Sequence, residues 1–195
     1  HEKMPVHGVV PITVPGVPAA WVELSKKFGR LPLREVLAPA INYAEEGYPL
    51  TPILGHYWKL AYKRFKTNLT GPEFEEWFKV FAPDGRAPEI GEMWKSAGHA
   101  STLRSIAESE GKSFYEGELA QKIDAYMKEH GGFLTAADLA AYKPEWVKPV
   151  SINYRGYDVW EIPPNGHGIV ATMALNTYQK KAQQPVWQSA QTYHE

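Results

Sequence analysis

Residues 154–177, YRGYDVWEIPPNGHGIVATMALNT, constrain the local fold more than any other part of this chain. Aromatic and β-branched residues lead through two prolines into a glycine-containing loop, and an apolar segment with helical spacing follows. Pro163 and Pro164 cannot donate to a sheet ladder and fix φ at about −65°, so the strand must end there. The stretch therefore predicts a strand, a corner and a helix in succession, an arrangement in which α/β proteins often hold ligands.

The residues around this corner define its flanking elements. Arg155-Gly156 interrupts the aromatic run as a tight turn would, which predicts a hairpin with arms at residues 151–154 and 157–160. After the prolines, the glycines of Asn165-Gly166-His167-Gly168 can adopt positive φ and allow close approach of backbone. A helix is predicted over residues 168–178. Five residues at helical spacing form the stripe that we expect this helix to bury: Ile169, Val170, Met173, Ala174 and Thr177.

Three hypotheses compete over the corner. Residues 166–171 match the relaxed dinucleotide pattern G-x-G-x-x-A, but two prolines precede the loop, no second strand follows, and Glu195 is the only downstream acid at a useful distance. His167 would serve as a metal ligand or as the partner of a nucleophile only if serine, further histidines or carboxylates converged on it. On residue chemistry alone, a purely structural corner is favoured.

Composition excludes several classes of protein. The chain has 195 residues, 44% of them hydrophobic, and its 21 basic and 22 acidic side chains give a formal net charge of −1. No charged tail or face is evident, so we expect neither a nucleic-acid partner nor an anionic membrane partner, and no apolar run is long enough to span a bilayer. The absence of cysteine removes disulfides and thiolate chemistry and leaves the compartment unknown, cytoplasmic or periplasmic/secreted.

Candidate catalytic and metal-binding groups are few. The neighbouring acids Glu45-Glu46, Glu75-Glu76 and Glu108 with Glu110 point to different sides of predicted helices, so they favour a solvated surface over a facing acid and base pair. The seven histidines, at positions 1, 7, 56, 99, 130, 167 and 194, include no pair at the i, i+4 spacing of a metal site. We therefore expect no metal and no cofactor. Asn68-Leu69-Thr70 matches the glycosylation acceptor pattern, which has meaning only in a secreted protein.

The rest of the chain is predicted to be mainly helical. A β-type run at residues 9–14 ends at Pro15-Gly16, and glycines or caps then delimit helices over residues 18–28, 33–46, 51–64, 100–110 and 114–130. A short helix is expected after Thr135, because a threonine N-cap followed by Asp138 resembles a capping box. Residues 81–91 form a loop, and residues 187–195 resemble the opening of a helix. Together these elements predict an α+β fold that is rich in helices.

The amino-acid sequences of several blocks resemble the large-subunit region of the gamma-glutamyltranspeptidase family. They occur in the family's order and cover about residues 8–178: Val14-Pro15-Gly16, Phe28-Gly29-Arg30-Leu31-Pro32-Leu33, Leu37-Ala38-Pro39-Ala40-Ile41, Ala44-Glu45-Glu46-Gly47-Tyr48-Pro49, Thr102-Leu103-Arg104-Ser105-Ile106-Ala107, Phe114-Tyr115-Glu116-Gly117-Glu118, the run from His130 to Thr135, Asp138-Leu139-Ala140-Ala141-Tyr142, and Tyr154-Arg155-Gly156-Tyr157 leading to Pro163-Pro164.

This resemblance implies an N-terminal nucleophile hydrolase with an αββα four-layer sandwich, made as a precursor that cleaves itself before a threonine. The freed α-amine and hydroxyl of that threonine would act as base and nucleophile on γ-glutamyl amides such as glutathione, and the acyl group would pass to water or to an amino acid. A cephalosporin-acylase-like amidohydrolase of the same family is an alternative, and so is a non-enzymatic helical module that binds a small ligand.

The family's catalytic residues have no counterpart in this chain. No two of the nine threonines adjoin, whereas the family nucleophile lies in a Thr-Thr context at the start of the small subunit. The substrate-binding arginine belongs to an upstream Arg-Glu-x-Ala-Pro motif, and the serine and glycine pairs that bind substrate and form the oxyanion hole lie in the small subunit. We therefore expect no catalytic, substrate-binding or metal-binding residue here, and an inactive fragment.

Two further expectations follow from the resemblance. Residues 1–195 would be a single incomplete domain, part of a large subunit whose upstream segment and small-subunit partner lie elsewhere in the same precursor, and the start at His1 rather than at Met agrees with that. The family commonly has Pro-Pro-Ser-Ser-Gly-Gly where this chain has Pro163-Pro164-Asn165-Gly166-His167-Gly168. That departure suggests a divergent branch.

Overall fold

A computed structural model describes residues 3–163, 165–180 and 189–190. Within them the fold is helix-rich α+β, as predicted. The helices are α1 (Val17–Phe28), α2 (Leu33–Glu46), α3 (Pro52–Asn68), a 3₁₀ turn (Pro72–Phe74), α4 (Glu75–Phe81), α5 (Ala97–Ser109), α6 (Lys112–Tyr115), α7 (Glu118–Glu129), α8 (Ala136–Ala141) and α9 (Gly168–Gln179). The strands are β1 (Tyr48–Pro49), β2 (Met93–Trp94), β3 (Val150–Tyr154) and β4 (Tyr157–Glu161).

The chain divides into two compact units, His1–Pro144 and Glu145–Glu195. The first unit contains α1 to α8 and a two-residue antiparallel pairing of β1 with β2. The second contains the β3–β4 hairpin and α9. The assignment of residues 1–195 to a single domain stays a prediction.

A core in the first unit is organised around α7 and the segments that pack on it. Its buried residues are Val9, Tyr115, Ala120, Met127, Leu134 and Leu139, with Leu139 fully inaccessible. The Tyr115 hydroxyl donates to the carbonyl of Pro15 at 2.6 Å and accepts from the amide of Ala19 at 3.1 Å. These bonds join α6 to the start of α1 across about half the chain, and burial raises the pKa of the Tyr115 hydroxyl.

An aromatic cluster lies elsewhere in the first unit, at the end of α4. The ring of Phe81 stacks on that of Trp94 with centroids 5.9 Å apart, and Trp58 contacts both. The indole N–H groups of Trp58 and Trp94 donate to the carbonyls of Phe81 and Val80 at 2.9 and 3.2 Å. Since the last carbonyls of a helix have no partner within it, the two indoles act as its C-terminal cap.

Several predicted elements in the first unit are confirmed. Thr135 and Asp138 form the expected capping box, in which the Thr135 hydroxyl accepts from the Asp138 amide and the Asp138 carboxylate accepts from the Thr135 amide. Glycines 29 and 47 follow α1 and α2 as predicted. Helices α3 and α5 are longer than the helices predicted over residues 51–64 and 100–110. Helix α3 continues to Asn68, and α5 begins at Ala97, after the N-cap Ser96.

Other predictions for this unit are wrong. Residues 9–14 form turns and irregular backbone instead of a strand, since Pro11 lacks an amide donor and Val9 is anchored by burial in the core. The single helix expected over 114–130 is broken into α6 and α7 at Glu116-Gly117. The sequence also gave no indication of α4 or of the short β1–β2 pairing. The helix opening predicted at 187–195 lies outside the described residues except for Ser189 and Ala190.

The hairpin of the second unit follows the prediction closely. Its register pairs Tyr154 with Tyr157 and Val150 with Glu161. Arg155 and Gly156, the two turn residues, have φ values of +53° and +88°, the signs of a type I′ turn that suits the strand twist. The Arg155 guanidinium lies 5.1 Å from the ring centroid of Tyr154 and 6.0 Å from that of Tyr178, which joins the turn to α9.

The buried face of α9 is not the predicted one. The helix itself is confirmed, but Ile169, Val170 and Met173 are 38, 55 and 62% exposed. Thr172 is the buried residue of this helix, and its hydroxyl donates to the carbonyl of Ile169. Because α9 is apolar on more than one side, the spacing of apolar residues identified a helix but not the face that meets the hairpin.

The bonds of Tyr115 yield a test of this packing. Replacing Tyr115 by Phe in the full-length protein leaves the Pro15 carbonyl and the Ala19 amide without their partner, so we expect the free energy of unfolding to fall by about 1–3 kcal/mol. Calorimetry would measure the fall as a lower melting temperature. Tyr157→Phe is the matched control, because Tyr157 is 78% exposed. Equal losses in the two variants would contradict the assigned role of Tyr115.

Candidate functional site

The corner between β4 and α9 is the site that the sequence singled out. Asn165, Gly166 and His167 are exposed, and the amide of Asn165 donates to the carbonyl of Pro163 at 2.9 Å. His167 is the N-cap residue of α9, and its carbonyl accepts from the amides of Val170 and Ala171. Its side chain makes no capping bond, so the start of the helix is built from backbone alone.

A carboxylate of the hairpin already lies against the first residue of α9. A Cβ on Gly168 would lie 2.5 Å from Oε2 and 2.8 Å from Cβ of Glu161, so this position has room only for glycine. A negative charge beside a helix N-terminus is stabilised there and repels a second anion. Glu161 therefore stands where a dinucleotide would place its pyrophosphate.

The topology of the second unit also contradicts the dinucleotide hypothesis. A pyrophosphate loop of that type connects a strand to a helix that returns to a parallel strand. Here the helix follows an antiparallel hairpin, and the described part of the chain holds no parallel strand after it. The acid invoked downstream, Glu195, lies outside the described residues. The G-x-G-x-x-A match is a coincidence of composition at a helix start.

The other hypotheses for the corner can be compared directly. The side chain of His167 has no hydrogen bond or ring contact with any described residue, so neither a nucleophile nor a further ligand converges on it. Within the described residues no cluster of three or more histidine, aspartate or glutamate side chains could hold a metal ion. The geometry supports the structural corner that the residue chemistry favoured.

A serine and histidine pair that sequence reasoning missed lies at the start of α5. Ser96 Oγ is 2.6 Å from Nδ1 of His99, and Ser96 also accepts from the His99 amide at 3.4 Å. Ser96 is only 9% exposed, and the ring of His99 contacts Phe81 and Trp94. A buried hydroxyl that caps a helix cannot reach a substrate, so this pair is a structural N-cap.

The neighbouring acids occupy solvated surfaces, as predicted. Glu45 pairs with Arg104, Glu110 with Lys26, and both Glu75 and Glu76 lie within 4 Å of Lys79. Exposed pairs of this kind add little to stability. Asn68, in the glycosylation pattern, is exposed at the end of α3.

The shifted pKa values belong to structural pairs rather than to a reactive centre. The Lys128 ammonium, 2.5 Å from the Asp124 carboxylate, lowers the pKa of that carboxyl. The Thr135 hydroxyl and amide lower the pKa of Asp138 in the capping box, and Arg86 lowers that of Glu92. Each of these carboxylates is held ionised by a partner in its own unit, as in a cap or an ion pair.

Two clefts lie in the first unit. One, of about 280 Å³, is lined in part by Arg86, Glu92 and Trp94; the other, of about 300 Å³, lies beside Tyr43 at the end of α2. Both Arg86 nitrogens that face Glu92 are bonded to its carboxylate, at 2.8 and 3.1 Å, so the guanidinium is not free to bind an anion. Neither cleft brings together groups that could catalyse a reaction.

Across the described part of the chain, no helix combines the length and the apolar character that crossing a bilayer requires. The expectation that this chain supplies no catalytic, substrate-binding or metal-binding residue stays a prediction.

The chain is similar in sequence and in structure to known proteins. The gamma-glutamyltranspeptidase family model matches residues 1–195. The glutathione hydrolase-like YwrD proenzyme of Bacillus subtilis is 36% identical over 176 residues, which cover 90% of this chain and 32% of that protein. A crystal structure of cephalosporin acylase from Bacillus halodurans is 59% identical with a TM-score of 0.92, covering 98% of this chain and 36% of that chain. A crystal structure of Helicobacter pylori gamma-glutamyltranspeptidase is 29% identical with a TM-score of 0.85, and the match covers 98% of this chain and 54% of that chain.

The two glycines of the corner should differ in how a substitution by alanine changes the stability of α9. Gly168→Ala places a methyl group against Glu161, so we expect it to destabilise α9 by about 1–3 kcal/mol even though alanine is the better helix former. Gly166→Ala is the matched control, since a Cβ there meets nothing within 4 Å. Hydrogen exchange of the α9 amides in the full-length protein measures both. Unchanged protection in Gly168→Ala would refute the close contact.

Proposed function

This chain belongs to the gamma-glutamyltranspeptidase family, and from that premise we propose that it is a large-subunit part of a self-processing hydrolase and acyltransferase acting on γ-glutamyl amides such as glutathione. The partner in this proposal is a small subunit released from the same precursor. The observation that carries it is the family match over the whole chain, together with similarity to a relative named as a proenzyme.

The chemistry proposed for the whole enzyme is that of an N-terminal threonine. Self-cleavage frees the α-amine of the threonine, which then acts as the base for its own hydroxyl. That hydroxyl attacks the γ-glutamyl carbonyl, the amine leaves, and the acyl-enzyme is resolved by water or by an amino acid. The chain described here contributes scaffold to that reaction, and alone it is inactive.

Unpartnered apolar surface in the second unit supports a larger fold. Trp160 and Ile162 are 58 and 65% exposed, and Ile169, Val170 and Met173 on α9 are 38, 55 and 62% exposed. A hairpin of two strands also leaves a backbone edge on each side, and it is marginal by itself in water. We propose that further strands extend this hairpin and that another layer covers it, as an αββα four-layer sandwich requires.

The first unit also exposes apolar surface. Fully buried large side chains are few, with Ile106 and Leu139 as the examples, whereas many large apolar side chains are open to solvent. On α3, Ile53, Tyr57 and Leu60 are 73, 64 and 51% exposed at helical spacing. Exposed apolar surface of this extent is typical of an interaction site. These faces are available to the remainder of the precursor, and they weigh against an independent ligand-binding module.

An acylase of the same family is the second candidate. It is favoured by the 59% identity to the cephalosporin acylase of B. halodurans, against 29% to the gamma-glutamyltranspeptidase of H. pylori. The acyl group in that case need not carry the α-amine of a γ-glutamyl donor. Both candidates share the threonine chemistry and the processing step.

Processing is tested on the full-length precursor. We expect mass spectrometry to find two polypeptides, with a threonine at the new N-terminus of the smaller one, and we expect Thr→Ala at that position to abolish both cleavage and turnover. Thr70→Ala is the matched control, because Thr70 is an exposed threonine of this chain. An uncleaved single chain with full activity would refute the proposal.

The acyl specificity is tested with two substrates that differ in one group. A γ-glutamyl anilide and its glutaryl analogue, which lacks only the α-amine, are compared by kcat/KM with the processed enzyme. A γ-glutamyl enzyme is expected to prefer the first by about tenfold or more, since a site that binds a charged amine leaves buried polar groups unpaired without it. A preference for the glutaryl substrate would establish the acylase candidate instead.

A further inference from the structure

The corner between β4 and α9 contains an asparagine in a distinctive sequence context. Of the five asparagines of the chain, at positions 42, 68, 153, 165 and 176, Asn165 alone precedes a glycine. Glycine has no Cβ to shield its amide nitrogen, so an asparagine before it can bring its side-chain carbonyl within reach of that nitrogen. Asparagine is one of the thermolabile residues for this reason.

The reaction in question needs water and no other reagent. The backbone nitrogen of Gly166 attacks Cγ of Asn165, the Gly166 N–H proton leaves with the side-chain NH₂ group as ammonia, and a five-membered succinimide forms. Water then opens either carbonyl of that ring, giving aspartate or isoaspartate at position 165. The net change is the replacement of an amide NH₂ by OH, and isoaspartate also carries the backbone through the side-chain methylene.

The structure leaves both reacting groups accessible. Asn165 and Gly166 are exposed, and a Cβ on Gly166 would meet nothing within 4 Å. The amide of Gly166 donates to no described residue, and the Asn165 side chain has no hydrogen bond to any of them. Exposed loop tips with small or polar residues are accessible parts of a fold, and proteolytic nicking concentrates there for the same reason.

At other positions of the chain, hydrogen bonds hold the groups that ring closure would need. Asp84-Gly85 could form the same ring, but the Gly85 amide donates to the carbonyl of Ala82 at 2.9 Å. The side chain of Asn153 is held by Asp158 at 2.9 Å and by the Gly156 amide at 3.3 Å. In both places the nucleophile or the electrophile is fixed by a hydrogen bond, and at Asn165 neither is.

We propose that Asn165 is a spontaneous modification site, which deamidates through a succinimide with Gly166 in the folded protein. The product places a new carboxylate in the corner that already holds Glu161 against Gly168, and its isoaspartate form lengthens the backbone that leads into α9. The loop would therefore change charge and length with the age of the protein, independently of what the enzyme acylates.

The test follows the full-length protein during incubation at mildly alkaline pH. Peptide mass spectrometry measures conversion at position 165, and isoaspartate methylation distinguishes the two products. We expect a shift corresponding to NH₂ replaced by OH at Asn165, with more isoaspartate than aspartate, and no isoaspartate at Asp84. Conversion should be faster than at mildly acidic pH, since attack needs the amide nitrogen of Gly166 deprotonated.

Two variants keep the proposal falsifiable. Gly166→Ala retains Asn165 and fits the open space, but its Cβ shields the nitrogen, so conversion is expected to slow by about tenfold or more. Asn165→Ser should abolish the shift at that position. An Asn165 that stays unmodified in the folded protein while it converts in the urea-unfolded chain would overturn the proposal, and so would equal rates in the wild type and Gly166→Ala.

Discussion

The first unit depends on the hydroxyl of Tyr115. Its bonds to Pro15 and Ala19 close a loop of about a hundred residues and bring the entry to α1 against α6. Tyr142 stacks on the Tyr115 ring with centroids 5.6 Å apart, and the Tyr142 hydroxyl occupies the space that a Cβ on Gly16 would need. The Val14-Pro15-Gly16 block and the Phe114-Tyr115 block, far apart in sequence, are therefore two halves of one contact.

Local signals predicted the elements whose ends they mark. Caps at Thr51 and Thr135, glycines after α1 and α2, and the Arg155-Gly156 turn were sufficient because each acts within a few residues. Residues 9–14 were wrongly predicted as a strand: in the described part of the chain no strand pairs with this β-branched run, and Val9 is buried in the core instead. The cap of α4 could not be inferred, since Trp58 and Trp94 come from distant segments.

The candidate site shows the same division between local and non-local information. A strand, a corner and a helix were predictable from residues 154–177. Which side of α9 meets the hairpin was not, because the helix is apolar around much of its circumference. A helix of that kind suits a layer with neighbours on both sides, so the exposed stripe that contradicts the prediction is a surface that the proposed sandwich would cover.

The departure of the corner from the family pattern can be explained position by position. Compared with the Pro-Pro-Ser-Ser-Gly-Gly that the family commonly has, the last glycine is retained as Gly168, and Glu161 leaves no room there for a side chain. The preceding glycine is replaced by His167, which has a φ of −92° that any residue can adopt and a side chain open to solvent. The serines are replaced by Asn165 and Gly166 at exposed positions. The contact with Glu161 therefore fixes one residue of the corner, and its exposed neighbours can be substituted without loss of the strand-to-helix turn.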